Sequence, residues 1–253
     1  MPHPTEHQVL DLKTLRVACS DCRIIELCLP HGIDGQSLER FERLVGRYKL
    51  LARGSLLYAP GRPLRDIYMV RSGAVEVFRR DADGRNQVLG FHLPGEMTGL
   101  EAIGPGTHVC TAIALETTSV CPIRYDRIAD LAAEVPALQR QLMRILSGQH
   151  YAGARVLDGV TQRPADERVA ALLVNFADRY ARLQLSTVRL PLPMSRGDLA
   201  NYLGMTPATL SRVFARFRDK GLIRDHRREV VLLQPANVRA MVPGPFRSSG
   251  RCG

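Results

Sequence analysis

Residues Ser195 to Arg212 read Ser-Arg-Gly-Asp-Leu-Ala-Asn-Tyr-Leu-Gly-Met-Thr-Pro-Ala-Thr-Leu-Ser-Arg, and this stretch decides the C-terminal fold. Ser195 followed three residues later by Asp198 reads as a capping box that opens a helix. Leu199, Tyr202 and Leu203 give that helix an apolar face, and Gly204 supplies a tight turn. Thr206 is placed to cap a second helix, with Pro207 at the first helical position, where a missing N–H costs nothing. Leu210, Val213, Phe214 and Phe217 line the inner face of the second helix as far as Gly221, while Ala208, Ser211, Arg212, Arg216 and Arg218 lie outside. Two capped helices around a glycine turn make a helix-turn-helix, whose second helix enters the major groove of DNA. Arg212 is suited to a bidentate pair with guanine, and Ser211 to a base or phosphate. Arg216 and Arg218 are suited to phosphates, which position without specifying. The expected DNA-contacting set is Ser195, Arg196, Thr206, Pro207, Ala208, Thr209, Ser211, Arg212 and Arg216. Beyond Gly221, Leu222-Ile223-Arg224 and Glu229 to Leu233 flank Asp225 to Arg228, a hairpin that makes the motif winged.

Composition agrees with a polyanionic partner. Lys and Arg number 35 against 25 acidic residues, a formal charge of +10 over 253 residues, which favours nucleic acid before membrane. No apolar run approaches the roughly 20 residues that span a bilayer. The N-terminus, MPHPTEHQVLDLKTLR, lacks the apolar core of a signal peptide, so a cytoplasmic location is expected. In that compartment clustered cysteines bind metal or react more often than they form structural disulfides.

Such a cluster stands near the start. Cys19, Cys22 and Cys28 follow the spacing C-x2-C-x5-C, and the other cysteines are Cys110, Cys121 and Cys252. Thiolates select zinc or iron–sulfur clusters. Structural zinc sites pair CxxC with a second pair or with histidines, and only His31 lies nearby. Three close thiolates plus a distant one fit a four-iron cluster better. Spacing alone leaves open which of the other three cysteines is the fourth.

The remainder separates into regions. Leu38, Phe41, Leu44 and Val45 have helical spacing. From about residue 50 to 127, short strands are broken by glycine and proline: Ile67–Val70 running to a turn at Arg71-Ser72-Gly73, Ala74–Phe78, Val88–Phe91 and Ser119–Ile123. In the second of these, Val75 and Val77 alternate with polar Glu76. That pattern predicts a small antiparallel barrel or roll. A long helical pattern starts near Tyr125, interrupted at Pro136; its stripe, Leu131, Leu138, Leu142, Ile145, Ala152 and Val156, suits a dimer seam. An amphipathic helix is expected over 167–183, and a connector or strand over 184–194. The fold class is α+β. Expected divisions are a cysteine segment over 1–34, a β-roll sensor over 35–127, a dimerisation helix over 128–161, a winged helix-turn-helix over 162–240 and a flexible tail over 241–253.

Four stretches carry a resemblance to a known family: Cys19-Ser-Asp-Cys22 with Cys28-Leu-Pro, Gly90–Glu96, Ala114–Cys121, and Leu203-Gly204-Met205-Thr206. Over roughly residues 16 to 240 the chain resembles the CRP/FNR superfamily of bacterial transcription regulators, specifically its FNR-type oxygen sensors. The resemblance implies a β-roll sensor, a long dimerisation helix and a C-terminal winged helix. It implies a [4Fe-4S] cluster on Cys19, Cys22, Cys28 and Cys121, with Cys110 a strand residue and Cys252 a tail residue. It further implies a homodimer joined through Leu138, Leu142, Ile145, Gln149, Ala152 and Val156. This dimer binds a palindromic operator, works with RNA polymerase, and activates or represses genes of anaerobic metabolism. Oxygen dismantles the cluster and weakens the dimer.

This chain departs from the family pattern at three points. Where cyclic-AMP-binding branches hold the phosphate with Arg-Ser, it reads His108-Val109, without a guanidinium clamp. Where the recognition helix usually carries Glu, it has Ala208, so weaker discrimination at one base pair is expected. Around Gly153, where FNR-type sensors often carry an acid, it reads Gln149-His150-Tyr151-Ala152-Gly153-Ala154-Arg155; the cluster-free form is expected to retain some dimerisation. No nucleophile–base pair or phosphate-cradling loop points to an enzyme. Alternative readings are a regulator of the same family answering to thiol oxidation, nitric oxide or a small ligand, and a cluster-carrying redox protein.

Overall fold

The computed structural model describes residues 18–33, 35–81, 83–148 and 163–242. Gln149, Ala152 and Val156 of the expected dimer seam, the Gly153 stretch, Cys252 and the tail from 243 onward lie outside them.

Two four-stranded antiparallel sheets form the roll. The strands are β1 (Lys49–Leu51), β2 (Leu56–Tyr58), β3 (Asp66–Ser72), β4 (Val75–Arg80), β5 (Asn86–His92), β6 (Met97–Thr98), β7 (Thr111–Ala114) and β8 (Thr118–Arg124). One sheet runs β1-β8-β3-β6 and the other β2-β7-β4-β5. The sequence showed β3, β4, β5 and β8. The other four hold only two to four residues each, too short for an alternation to be visible. Cys110, expected in a strand, sits at a bend just before β7.

β3 is buried on both faces, and its period of two sends its residues to different places. Tyr68 and Val70 face the roll interior with Tyr58, Val75, Val77, Cys110, Ala112 and Val120. Ile67 and Met69 face the opposite way, toward helix α1 (Gly35–Leu44) and the helices after the roll. Aromatic rings stack inside the roll. Tyr58 stacks on His108 with centroids 4.0 Å apart and on Tyr68 at 5.9 Å. The Tyr58 hydroxyl lies 2.6 Å from Thr98 Oγ1, and His108 Nδ1 is 3.2 Å from the Glu101 carboxylate. Burial pushes the Tyr58 phenol far above its ordinary range.

Glu76 corrects the alternation read from β4. It does point away from Val75 and Val77, yet it is only 4% exposed. The outer face of this sheet is covered by the C-terminal domain, a long-range contact that strand periodicity cannot reveal.

After β8, helix α2 (Tyr125–Glu134) ends at Val135, which is extended. Helix α3 restarts at Pro136 and is described to residue 148, with proline at its start, where it is tolerated. Leu138 is fully buried in a cluster with Ile24, Leu29, Phe41, Met69, Ile123, Ile128 and Leu131. It therefore belongs to the chain's own core rather than to an open seam. Leu142 and Ile145 are half-buried against the same cluster, and Met143 is exposed.

The C-terminal domain consists of α4 (Ala165–Arg182), β9 (Arg189–Pro191), α5 (Arg196–Tyr202), α6 (Pro207–Asp219), β10 (Ile223–His226), β11 (Glu229–Leu232) and α7 (Pro235–Ala240). Its sheet order is β10-β11-β9, antiparallel throughout. The hairpin turn is tighter than the Asp225–Arg228 loop expected from sequence. Asp225 and His226 are strand residues, and Arg227 turns the chain with φ of +50°. The core of this domain, including Phe176, Leu199, Phe214 and Phe217, is continuous with Phe78, Val88, Phe91 and Leu93 of the roll.

Candidate nucleic-acid reader and thiol site

The reader is built by its caps. Ser195 Oγ accepts from Asp198 N at 3.1 Å, and the Asp198 carboxylate accepts from Ser195 N at 3.0 Å, a reciprocal capping box. Gly204 takes φ of +60°, the left-handed turn between the helices. Thr206 Oγ1 accepts from Thr209 N at 3.1 Å, with Pro207 at the first helical position. Leu210, Val213, Phe214 and Phe217 are buried; Thr206, Pro207, Ala208, Ser211, Arg212 and Arg216 are exposed, and Thr209 is half-exposed.

The arginines of this surface are not equivalent. Arg196 donates to Asp225 Oδ2 at 2.9 Å and lies 3.9 Å above the Phe214 ring. Burial lowers its pKa, with Asp225 opposing. It braces α5 against α6 and the wing. Arg218 donates to the other Asp225 oxygen at 2.9 Å, and Arg216 pairs with Asp166 at the start of α4. Arg212 has only marginal contacts within its own helix, to the Ala208 carbonyl and Thr209 Oγ1, both at 3.4 Å. Its guanidinium is the one on the exposed face of α6 held least by carboxylates. The pairing of Asp225 with both Arg196 and Arg218 was not visible in the sequence, because the hairpin register had to be known first.

At the other end, the cysteine segment is a chain of tight turns. Two 3₁₀ turns, Cys19–Asp21 and Ile25–Leu27, are linked by backbone bonds from Cys22 N to Cys19 O, Ile25 N to Cys22 O, Cys28 N to Ile25 O and His31 N to Cys28 O. Residues three apart eclipse in such turns. The spacing C-x2-C-x5-C consists of steps of three and six, so the three cysteines share the period of the turns, a signal present in the sequence. Ile24 and Leu29 are buried and anchor the segment. Cys19 N donates to the Glu42 carboxylate of α1 at 2.7 Å.

Cys121, on β8 opposite Met69, faces the same region. Cys19, Cys22, Cys28 and Cys121 all pack against one apolar cluster. They are also close enough to perturb one another electrostatically. Burial, then Glu42, then neighbouring thiols raise Cys19 to about 12; burial raises Cys121 to about 11, against the opposing charge of Arg71. Burial pushes Cys28 higher still, with Cys19 and Cys121 adding to it. Cys110 lies apart, inside the roll.

All four are free thiols, a soft donor set. Among the described residues, no three His, Cys, Asp or Glu side chains converge as ligands of one metal ion do. An iron–sulfur cube differs, since each iron takes one cysteine and the ligands stand apart at its corners. Four thiols are a donor set that fits a four-iron cluster.

A roll joined to a winged helix-turn-helix with an exposed arginine-bearing helix defines a DNA-binding transcription regulator. Residues 48–135 match the cyclic nucleotide-binding domain family and residues 167–241 the Crp-like helix-turn-helix domain family. The chain is 38% identical over 226 residues to the transcriptional activator protein Anr of Pseudomonas protegens, covering 89% of this chain and 93% of that protein. It is 35% identical over 207 residues to the fumarate and nitrate reduction regulatory protein of Escherichia coli, covering 82% and 83%. Among solved structures, FixK2 from Bradyrhizobium japonicum matches with a TM-score of 0.71 and 26% identity, over 80% of this chain and 99% of that one. The chain belongs to the CRP/FNR family of transcription regulators, and it is not an enzyme. No helix among the described residues is long and apolar enough to cross a membrane.

Proposed function

We propose that this regulator senses oxygen through a [4Fe-4S] cluster held by Cys19, Cys22, Cys28 and Cys121. In this reading it binds a palindromic operator as a homodimer in the cytoplasm. There it works with RNA polymerase on genes of anaerobic metabolism. The observation that carries the reading is the grouping of four thiols, three from one turn-rich segment and one from β8, against a single apolar cluster. The names of the relatives, which include a fumarate and nitrate reduction regulator, support the anaerobic programme.

When bound, the cluster supplies a group that oxygen destroys. The chain's own residues do the rest. Cys19, Cys28 and Cys121 would give up protons that burial otherwise retains, and holding the group would offset the cost of placing thiolates there. Cys19, Cys22 and Cys28 would hold the group from the cysteine segment and Cys121 from β8, tying that segment to β8 beside α3, the helix that leads toward the expected seam. At the reader, Arg212 meets a base edge, Ser211 a base or a phosphate and Arg216 a phosphate, and Ala208 leaves one base pair less constrained. The domain divisions expected from sequence, with a dimerisation helix over 128–161, belong to this proposal.

The test is anaerobic purification with iron and sulfide counts, then size and operator binding before and after air. About four irons and four sulfides per chain, with dimer and DNA affinity lost in air, are expected. Absence of iron, or DNA binding indifferent to air, overturns the reading.

A further inference from the structure

Two adjacent residues of the cysteine segment touch two different parts of the molecule. The Cys28 carbonyl accepts from Gln141 Nε2 on α3 at 3.1 Å, and the Gln141 side chain, 5% exposed, is held in turn by Arg144. Leu27 instead lies on the loop between β5 and β6. A Cβ at Gly95, which has φ of +83°, would stand 2.8 Å from Leu27 Cβ and 3.0 Å from its Cδ1. The side chain thus rests directly on the Gly95 backbone.

That loop carries the main polar link to the DNA-binding domain. The Glu96 carboxylate accepts from Arg179 Nε at 2.7 Å and Nη2 at 2.6 Å, a bidentate pair, and from Leu93 N at 3.1 Å. Arg179, on α4, also donates to the Phe91 carbonyl at 2.5 Å and lies over the Phe176 ring. Its side chain is 12% exposed and that of Glu96 is 23%. Around the pair, Phe91 meets Tyr202 edge-on at 5.1 Å, and Asn201 bonds the backbone of both Asn86 and Val88. A bidentate guanidinium–carboxylate pair with little exposure fixes orientation as well as distance.

We infer that Glu96 and Arg179 are the positioning pair through which the cysteine segment sets the pose of the DNA reader, with Leu27 on Gly95 as the contact that moves them. The Cys28 turn is then a fork. One arm, through Gln141, reaches the helix of the expected dimer seam. The other, through Leu27, Gly95, Glu96 and Arg179, reaches α4 without passing through residues 149–162. Ordering the segment acts on the reader directly as well as through dimerisation. This rests on the reading of the cysteine segment as the input.

A double-mutant cycle tests the second arm. The probe is a duplex selected by the full-length protein from a randomised library. Leu27→Ala is expected to weaken its binding about tenfold, within the range by which residues between coupled sites act. In a Glu96→Gln/Arg179→Gln background, the same Leu27→Ala change is expected to leave affinity unaltered. Sedimentation should show the dimer undisturbed by Glu96→Gln/Arg179→Gln, which a merely destabilised protein would not. An equal loss in both backgrounds, or no loss from Leu27→Ala, overturns the inference. Thermal unfolding identifies any variant that fails to fold, and Leu27→Val then takes the place of Leu27→Ala. Iron counts on the same samples judge the cluster separately, since the cycle compares affinities whether or not iron is present.

Discussion

The reader and the thiol site lie at opposite ends of the chain and are specified in opposite ways. In the reader, each local device is completed within a few residues: Ser195 with Asp198, Gly204 at the turn, Thr206 with Thr209. The thiol site closes only when β8 brings Cys121 beside a segment far back in sequence. The reader is also electrically settled, with Arg196, Arg216 and Arg218 on carboxylates, whereas burial raises Cys19, Cys28 and Cys121, and the nearby charge of Arg71 opposes this only in part at Cys19 and Cys121. The lesson is that a recognition surface can be rigid before its ligand arrives, while, on the proposed reading, a cluster-binding surface is left with a demand that only the cluster meets.

The largest expected effect breaks the comparison at the thiol end. Cys121→Ser should cut the iron of anaerobically purified protein from about four per chain to nearly none, measured by iron analysis. The helix-turn-helix should stay folded, seen as unchanged far-ultraviolet circular dichroism. At the reader, Arg212→Ala should remove about 1–3 kcal/mol of discrimination at one base pair, read from binding across a half-site library. A uniform loss over all sequences would instead assign Arg212 to a phosphate.

The third prediction concerns the face that joins the two ends. Glu76 is buried, its Oε2 has no hydrogen-bond partner among the described residues, and burial, with Asp198 of the capping box adding to it, raises its pKa to about 7. A carboxyl raised in the folded state stabilises the fold fully below its unfolded pKa of about 4.5 and loses that contribution as pH climbs through 7. Glu76→Gln should therefore raise stability by about 1–3 kcal/mol at pH 8. The gain should shrink toward zero as pH falls toward 4.5, followed by thermal unfolding at several pH values. The smallest effect sharpens the reader's self-sufficiency. Thr206→Ala should cost about 1 kcal/mol in chemical denaturation, the usual value of an N-cap, without changing iron content.

Legibility followed the same divide. The helix-turn-helix, its caps and its apolar face were readable because helical period and capping chemistry act over three or four residues. The C-x2-C-x5-C motif was readable as a soft-metal segment, but its fourth partner came from family resemblance, since no local rule links residue 28 to residue 121. Glu76 and Leu138 escaped for one reason: each lies on an element whose outer face another part of the chain covers. Asp225 escaped because the hairpin turn is only two residues long, which brings this aspartate into a strand between two arginines.

The stacked rings of Tyr58, His108 and Tyr68 inside the roll carry a consequence for signalling fidelity. A ligand shifts an equilibrium only through a difference in its affinity for the two states. With Tyr58, His108 and Tyr68 stacked inside the roll, a ligand entering there has to displace those rings or stack on them before it can favour one state. On the proposed reading the signal enters instead at the cysteine segment on the outside of the roll, so the shared fold serves a different input.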